Sequence, residues 1–145
     1  MTGHTWVYSH VPVCSALCLA SSLGCSSGPE FGQVNGQLTI NGQPGAELRV
    51  EFHPDAALGT KGPSSSGETD AEGRFKLFYA LGDKTGEGAA VGKHRVVIQD
   101  LRLGKSETGR GVAIRFGPEY SAVLTTPLTT SVQAGEQTIK LAVPK

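Results

Sequence analysis

The chain has 145 residues, with 13 Lys and Arg against 13 Asp and Glu, 38% hydrophobic and 6% aromatic residues, 20 Gly and 8 Pro. This length fits one domain with short attachments. The balanced charge lacks the basic excess of a nucleic-acid binder, the hydrophobic content is too high for a wholly disordered chain, and no apolar run reaches the ~18–20 residues of a membrane-spanning helix.

The first 24 residues contain no Asp, Glu, Lys or Arg. From Val11 to Leu23 the text is apolar, diluted by small residues, and matches the ~7–15-residue core of a secretory signal. It ends in Leu23-Gly24-Cys25. All three cysteines, Cys14, Cys18 and Cys25, lie in this opening segment. Cleavage before Cys25 leaves a single thiol at the new N-terminus and no intrachain disulfide. The arrangement resembles the lipobox of bacterial lipoproteins. Ser22 stands where that family prefers an aliphatic residue, and His4 and His10 replace the Lys or Arg with which most signals begin. The resemblance implies a signal peptide over residues 1–24, acylation of the Cys25 sulfur and a short tether over residues 25–31. It implies an exported protein of the cell membrane or outer membrane, periplasmic or surface-facing, whose first partner is the membrane holding its lipid.

From Phe31 onward the hydrophobic period is two. Val34, Leu38 and Ile40 share one face of a first strand, and Asn41-Gly42 accepts the positive φ of a tight hairpin. Leu48, Val50 and Phe52 then point inward, with Glu47, Arg49, Glu51 and His53 toward water. Residues 54–67, including Ser64-Ser65-Ser66, read as a loop. Asp70 and Gly73 make a turn, after which Phe75, Leu77 and Tyr79 face one side and Phe78 the other. A second Gly-rich loop spans residues 82–92. In the next strand, Lys93 to Asp100, His94, Val96 and Ile98 oppose Arg95, Val97 and Gln99. Residues 101–127 form a long connection without sustained period. Leu128, Thr130 and Val132 open a closing hairpin that turns at Ala134-Gly135-Glu136 and ends with Ile139, Leu141 and Val143. The pattern predicts an all-β fold over residues 32–145: a single antiparallel β-sandwich of about seven strands.

Several segments carry a wider likeness: Val34-x-Gly36 with Asn41-Gly42-x-Pro44, Val50-x-Phe52-x-Pro54, Thr69-Asp70-x-x-Gly73-x-Phe75, and Gly92-Lys93-x-x-Val96. Together with Gly117-Pro118-Glu119-Tyr120 and Val132-x-Ala134-Gly135-Glu136, they resemble the carboxypeptidase-regulatory-like, transthyretin (prealbumin)-like modules. More narrowly, they resemble small lipoproteins of planctomycete-type bacteria that carry one such module. The resemblance implies a non-catalytic envelope module with a structural or binding role. His94 stands where the family usually has an aromatic, often Tyr. It is expected to be half-buried and to donate to a backbone carbonyl.

The chemistry-bearing residues point the same way. No Gly-x-Ser-x-Gly elbow occurs, and the chain ends Leu141-Ala142-Val143-Pro144-Lys145, where hydroxyisourate hydrolases of this fold type end in Tyr-Arg-Gly-Ser. No enzyme is expected. Two histidines, His53 and His94, with Tyr79 and Tyr120, match intradiol dioxygenase ligands in kind but not in spacing, and the two histidines are predicted on opposite sides of the sheet. Asp70 and Glu72 lack the acidic ladder of a calcium loop. No metal or cofactor is expected. The alternative function is carbohydrate binding through the 101–127 connection, with Phe78, Phe116 and Tyr120 as stacking candidates. It requires exposed, coplanar rings; the plainer role of Phe116 and Tyr120 is to pack over the open end of the sandwich. Arg102, Lys105, Arg110 and Arg115, opposed only by Glu107, make this connection locally basic, suited to an anionic polysaccharide, a lipid headgroup or plain solvation. The partners left open are an envelope protein or a glycan.

Overall fold

A computed structural model describes residues 1–3, 28–105 and 111–144. Among them the chain forms eleven strands: β1 (Phe31–Ile40), β2 (Gln43–Pro44), β3 (Leu48–Pro54), β4 (Ser65–Glu68), β5 (Arg74–Lys76), β6 (Phe78–Leu81), β7 (Lys84–Glu87), β8 (Ala89–Ala90), β9 (Gly92–Asp100), β10 (Thr129–Val132) and β11 (Gly135–Val143). β1 pairs with β2, β5, β8 and β11 in one five-stranded sheet. The second sheet has six strands in the order β10-β9-β3-β4-β6-β7. The all-β sandwich expected from the sequence is present, with more strands than the expected seven because seven of the eleven are only two to four residues long and give a periodicity reading little to work on.

The alternation of β1, β3 and β9 builds the core. Val34, Leu38 and Ile40 from β1 meet Leu48, Val50 and Phe52 from β3 and His94, Val96 and Ile98 from β9, all buried. Phe75, Leu77, Leu141 and Val143 join the same cluster, with Ala89, Tyr120 and Val132. Each fully buried aliphatic or aromatic side chain contributes roughly 1.5–3 kcal/mol, so a domain of this size holds without disulfides. The Asn41-Gly42 reading holds in detail: both residues have positive φ (51° and 77°), the two-residue hairpin conformation whose twist suits the flanking strands. Gly36 is glycine for another reason. A Cβ there would overlap the Phe75 ring, which lies against the β1 backbone.

Three expectations are corrected. The segment 54–67 is not all loop: β4 begins at Ser65 and pairs with β3 from Phe52↔Ser65 to Arg49↔Glu68. Its Ser-Ser-Gly-Glu text has no apolar alternation to reveal it, and Gly67 is needed because a Cβ would overlap the Lys76 carbonyl. The segment 82–92 holds β7, hairpinned onto β6 through Gly82 (φ 63°), and β8 on β1. The closing hairpin does not form. β10 pairs with β9 in the second sheet, whereas β11 runs parallel to β1 in the first, from Gly32↔Gly135 to Ile40↔Val143. Gln133 and Ala134 therefore carry the chain from one sheet to the other. Two consecutive strands with a turn signal look alike in sequence whether they pair or part, and here the free edge of β1 wins the second strand.

Candidate functional site

The densest polar arrangement lies where β9 enters the 101–127 connection. Asp100, the last residue of β9, sits opposite Leu48 of β3, with only 4% of its side chain exposed. The chain then turns through a short helix, α1 (Leu101–Lys105), which brings Arg102 back to the carboxylate. Arg102 donates from Nε to Oδ1 (3.1 Å), from Nη2 to Oδ2 (2.9 Å) and from its backbone N–H to Oδ1 (3.1 Å). Arg115 arrives from the far end of the connection. It donates from Nε to Oδ2 and from Nη2 to Oδ1, both at 2.8 Å. Two guanidinium forks thus grip one carboxylate, the geometry that suits arginine. Burial pushes the Asp100 carboxyl up, but the hydrogen bonds from Arg102 and Arg115 outweigh it and hold the group far below the usual carboxylate range. The same contact raises Arg102.

The clamp reaches the two residues just before β3. Arg115 Nη1 donates to the Ala46 carbonyl at 2.6 Å, and Nη2 to the Glu47 carbonyl at 3.4 Å. Glu47 has φ 54°, a left-handed conformation that a residue with a Cβ avoids. Its carbonyl also receives the Leu101 N–H at 3.0 Å. These partners fix an otherwise unfavourable backbone and so set the angle at which the connection leaves the sandwich.

Beside the clamp lies a cavity of about 330 Å³ lined by Asp100, Leu103, Ile114, Arg115, Phe116 and Pro118, among others. Its rim is apolar and wet: Ile114 is 82% and Leu103 46% exposed, and the same connection exposes Leu124 at 90%.

The predicted site residues separate. Phe78 is exposed on β6, with β3 and β4 standing between it and β9 in the second sheet. Tyr120 is buried in the core cluster, with Phe116 packed partly buried against it; the two rings meet edge-on, 6.2 Å apart at 83°. The three aromatics therefore offer no shared flat platform: Tyr120 packs into the core and Phe116 packs against it. Of the basic residues, Arg102 and Arg115 spend their charge on Asp100. Arg110, Glu107 and the Lys105 side chain lie outside the described residues, as do Cys25 and residues 4–24 of the leader. His94 is fully rather than half buried. One ring nitrogen, Nε2, lies 2.7 Å from the Ala90 carbonyl, while Nδ1 has no partner in hydrogen-bond geometry. Burial lowers its affinity for a proton, against the pull of the Ala90 carbonyl. His53 lies on the opposite, outward face of β3, and Tyr79 stacks on Phe31 at 3.7 Å. Among the described residues, no three His, Cys, Asp or Glu gather as metal ligands.

Asp100 went unnoticed in the sequence. An acidic residue ending an apolar strand, with Arg two positions later, is the one local sign of it. Nothing local signals Arg115. Comparison with protein-family models, with curated proteins and with solved structures finds no significant match.

Proposed function

We propose that the chain is an exported envelope module, tethered through a lipid on Cys25, with a structural or binding role carried by its transthyretin-like sandwich. The supporting observation is the apolar cavity beside Asp100. Leu103 and Ile114 line it and are exposed together, and contiguous exposed apolar surface of this kind marks contact sites; Asp100 and Arg115 of the clamp line the same cavity. Carbohydrate binding through the same connection has weaker support, because Tyr120 is buried and Phe116 meets it edge-on.

The test is the native N-terminus of the full chain expressed in a bacterium that makes lipoproteins. Mass spectrometry is expected to find diacylglyceryl on Cys25 in the membrane fraction, and Cys25→Ala is expected to leave that fraction. An intact Met1, or an unmodified Cys25 in a membrane-free fraction, sinks the proposal.

A further inference from the structure

On the outward face of the second sheet, three side chains form a relay. Glu51 and His53 lie two residues apart on β3 and so point to the same side. β4 runs antiparallel to β3 with Phe52↔Ser65 in register, which brings Ser64, the residue just before β4, beside His53. Ser64 Oγ lies 3.0 Å from His53 Nδ1, and His53 Nε2 lies 3.1 Å from Glu51 Oε2. The histidine and the glutamate are largely covered, with 27% and 23% of their side chains exposed, while Ser64 is open to solvent.

The chemistry of the partners sets the direction of each bond. An ionised Glu51 only accepts, so it holds the proton on Nε2. That choice leaves Nδ1 as a lone pair aimed at the Ser64 hydroxyl, which donates to it. A nucleophile, a base within hydrogen-bond reach and a third group that orients the base are the parts of an activated serine. In serine proteases the same roles fall on the other ring nitrogen. On the far side of His53, Arg95 of β9 is its register partner, and its guanidinium is paired with Asp55 at 3.4 Å.

We propose that Ser64 is a reactive nucleophile that accepts acyl groups from activated carboxylic esters. In the step, Ser64 Oγ bonds to the ester carbonyl carbon, and its proton passes to His53 Nδ1. The carbon–oxygen bond to the leaving alcohol then breaks, and that alcohol takes the proton. Water releases the acid by the reverse sequence. Ser64 sits on an open sheet face and gains little binding energy from a substrate, so esters with good leaving groups, such as aryl esters, are the class it accepts. The activity is independent of lipidation at Cys25 and goes beyond the structural or binding role.

The full chain is incubated with p-nitrophenyl acetate and acetylated sites are mapped by mass spectrometry. Ser66 is the internal control: it is exposed two residues further on, in β4 opposite Glu51, but has no imidazole partner among the described hydrogen bonds. Acetylation is expected at Ser64 well ahead of Ser66 and to fall by about 100-fold in His53→Ala, the scale of a lost general base, with the circular dichroism unchanged. Glu51 acts as a positioning residue. In Glu51→Gln, ¹⁵N NMR of the imidazole is expected to show loss of the single Nε2–H tautomer together with slower acetylation. Equal labelling of Ser64 and Ser66, or a Ser64 rate unchanged by His53→Ala or by His53→Gln, overturns the proposal.

Discussion

The molecule pairs arginine with carboxylate at several places, and two of them contrast, one in water and one out of it. At the turn between β4 and β5, Arg74 Nε lies 3.0 Å from Asp70 Oδ2, and its Nη2 lies 3.0 Å from Glu72 Oε2. These side chains are 45–65% exposed, and all the partners lie within four residues. Asp70 is held below its ordinary range, first by the Arg74 backbone N–H and also by the Arg74 side chain. At the end of β9 the same groups are gathered from distant parts of the chain: Arg115 lies 15 residues from Asp100 and 69 from Ala46. The first cluster finishes a turn that water already solvates, and exposed ion pairs of that kind contribute little. The second replaces the hydration of a nearly buried carboxylate, so each bond in it must be made. Identical chemistry is ornament in one place and fastening in the other, and burial makes the difference.

Removing the buried carboxylate is expected to have the largest effect. Asp100→Ala leaves two guanidinium groups facing each other without the carboxylate that joins Arg102 to Arg115. It is expected to cost about 3 kcal/mol in urea denaturation. Arg115→Ala is expected to follow closely, because it also deprives the Ala46 carbonyl of its donor. An Asp100→Ala midpoint no lower than that of Asp70→Ala would show that burial does not decide the matter.

Acid separates the regions next. The folded Asp100 carboxyl titrates below its unfolded value of about 3.9, so its stabilisation is complete above about pH 5 and is lost as pH falls further. His94 gives a second, earlier window. Its folded form binds a proton less readily than the unfolded imidazole does, so the unfolded state gains protons first as pH drops below about 6.5. Stability is therefore expected to fall with pH in two stages, His94 first and Asp100 second. Denaturation at a series of pH values checks this. His94→Phe is expected to flatten the stage just below pH 6.5 and leave the acid stage, whereas Asp100→Asn is expected to do the reverse. A wild-type midpoint constant from pH 7 to pH 5 would mean that His94 is not held neutral.

What was legible in the sequence follows the same divide. Leu48, Val50 and Phe52, the Asn41-Gly42 turn and the Asp70–Gly73 turn were readable because each rests on residues two to four apart. The outward direction of Phe78 was readable from the same alternation. β4 was not, since its serines and glycine pair by backbone alone. Neither was the parallel seat of β11, which depends on which edge of β1 lies open after the chain has folded. The Asp100 clamp and the Ser64–His53 contact belong with these. Ser64 was visible only as one of three loop serines, and His53 only as an outward residue. The antiparallel register of β3 and β4 is what joins them.

The smallest expected effect tests the exposed cluster by itself. Asp70 Oδ1 accepts the N–H groups of Glu72 at 3.0 Å and Arg74 at 2.8 Å, and these bonds need an oxygen, not a charge. The ion pair with Arg74 needs the charge. Asp70→Asn keeps an acceptor oxygen and removes the pair, while Asp70→Ala removes both. If water solvates the charges as argued, Asp70→Asn is expected to unfold at nearly the wild-type urea concentration. Asp70→Ala is expected to unfold slightly earlier, through loss of the turn. Raising the salt concentration should then leave the gap between wild type and Asp70→Asn unchanged, because an exposed pair that contributes nothing has nothing to screen. A midpoint for Asp70→Asn as low as that of Asp70→Ala would place the fastening in the charges themselves, and the contrast with Asp100 would become one of degree.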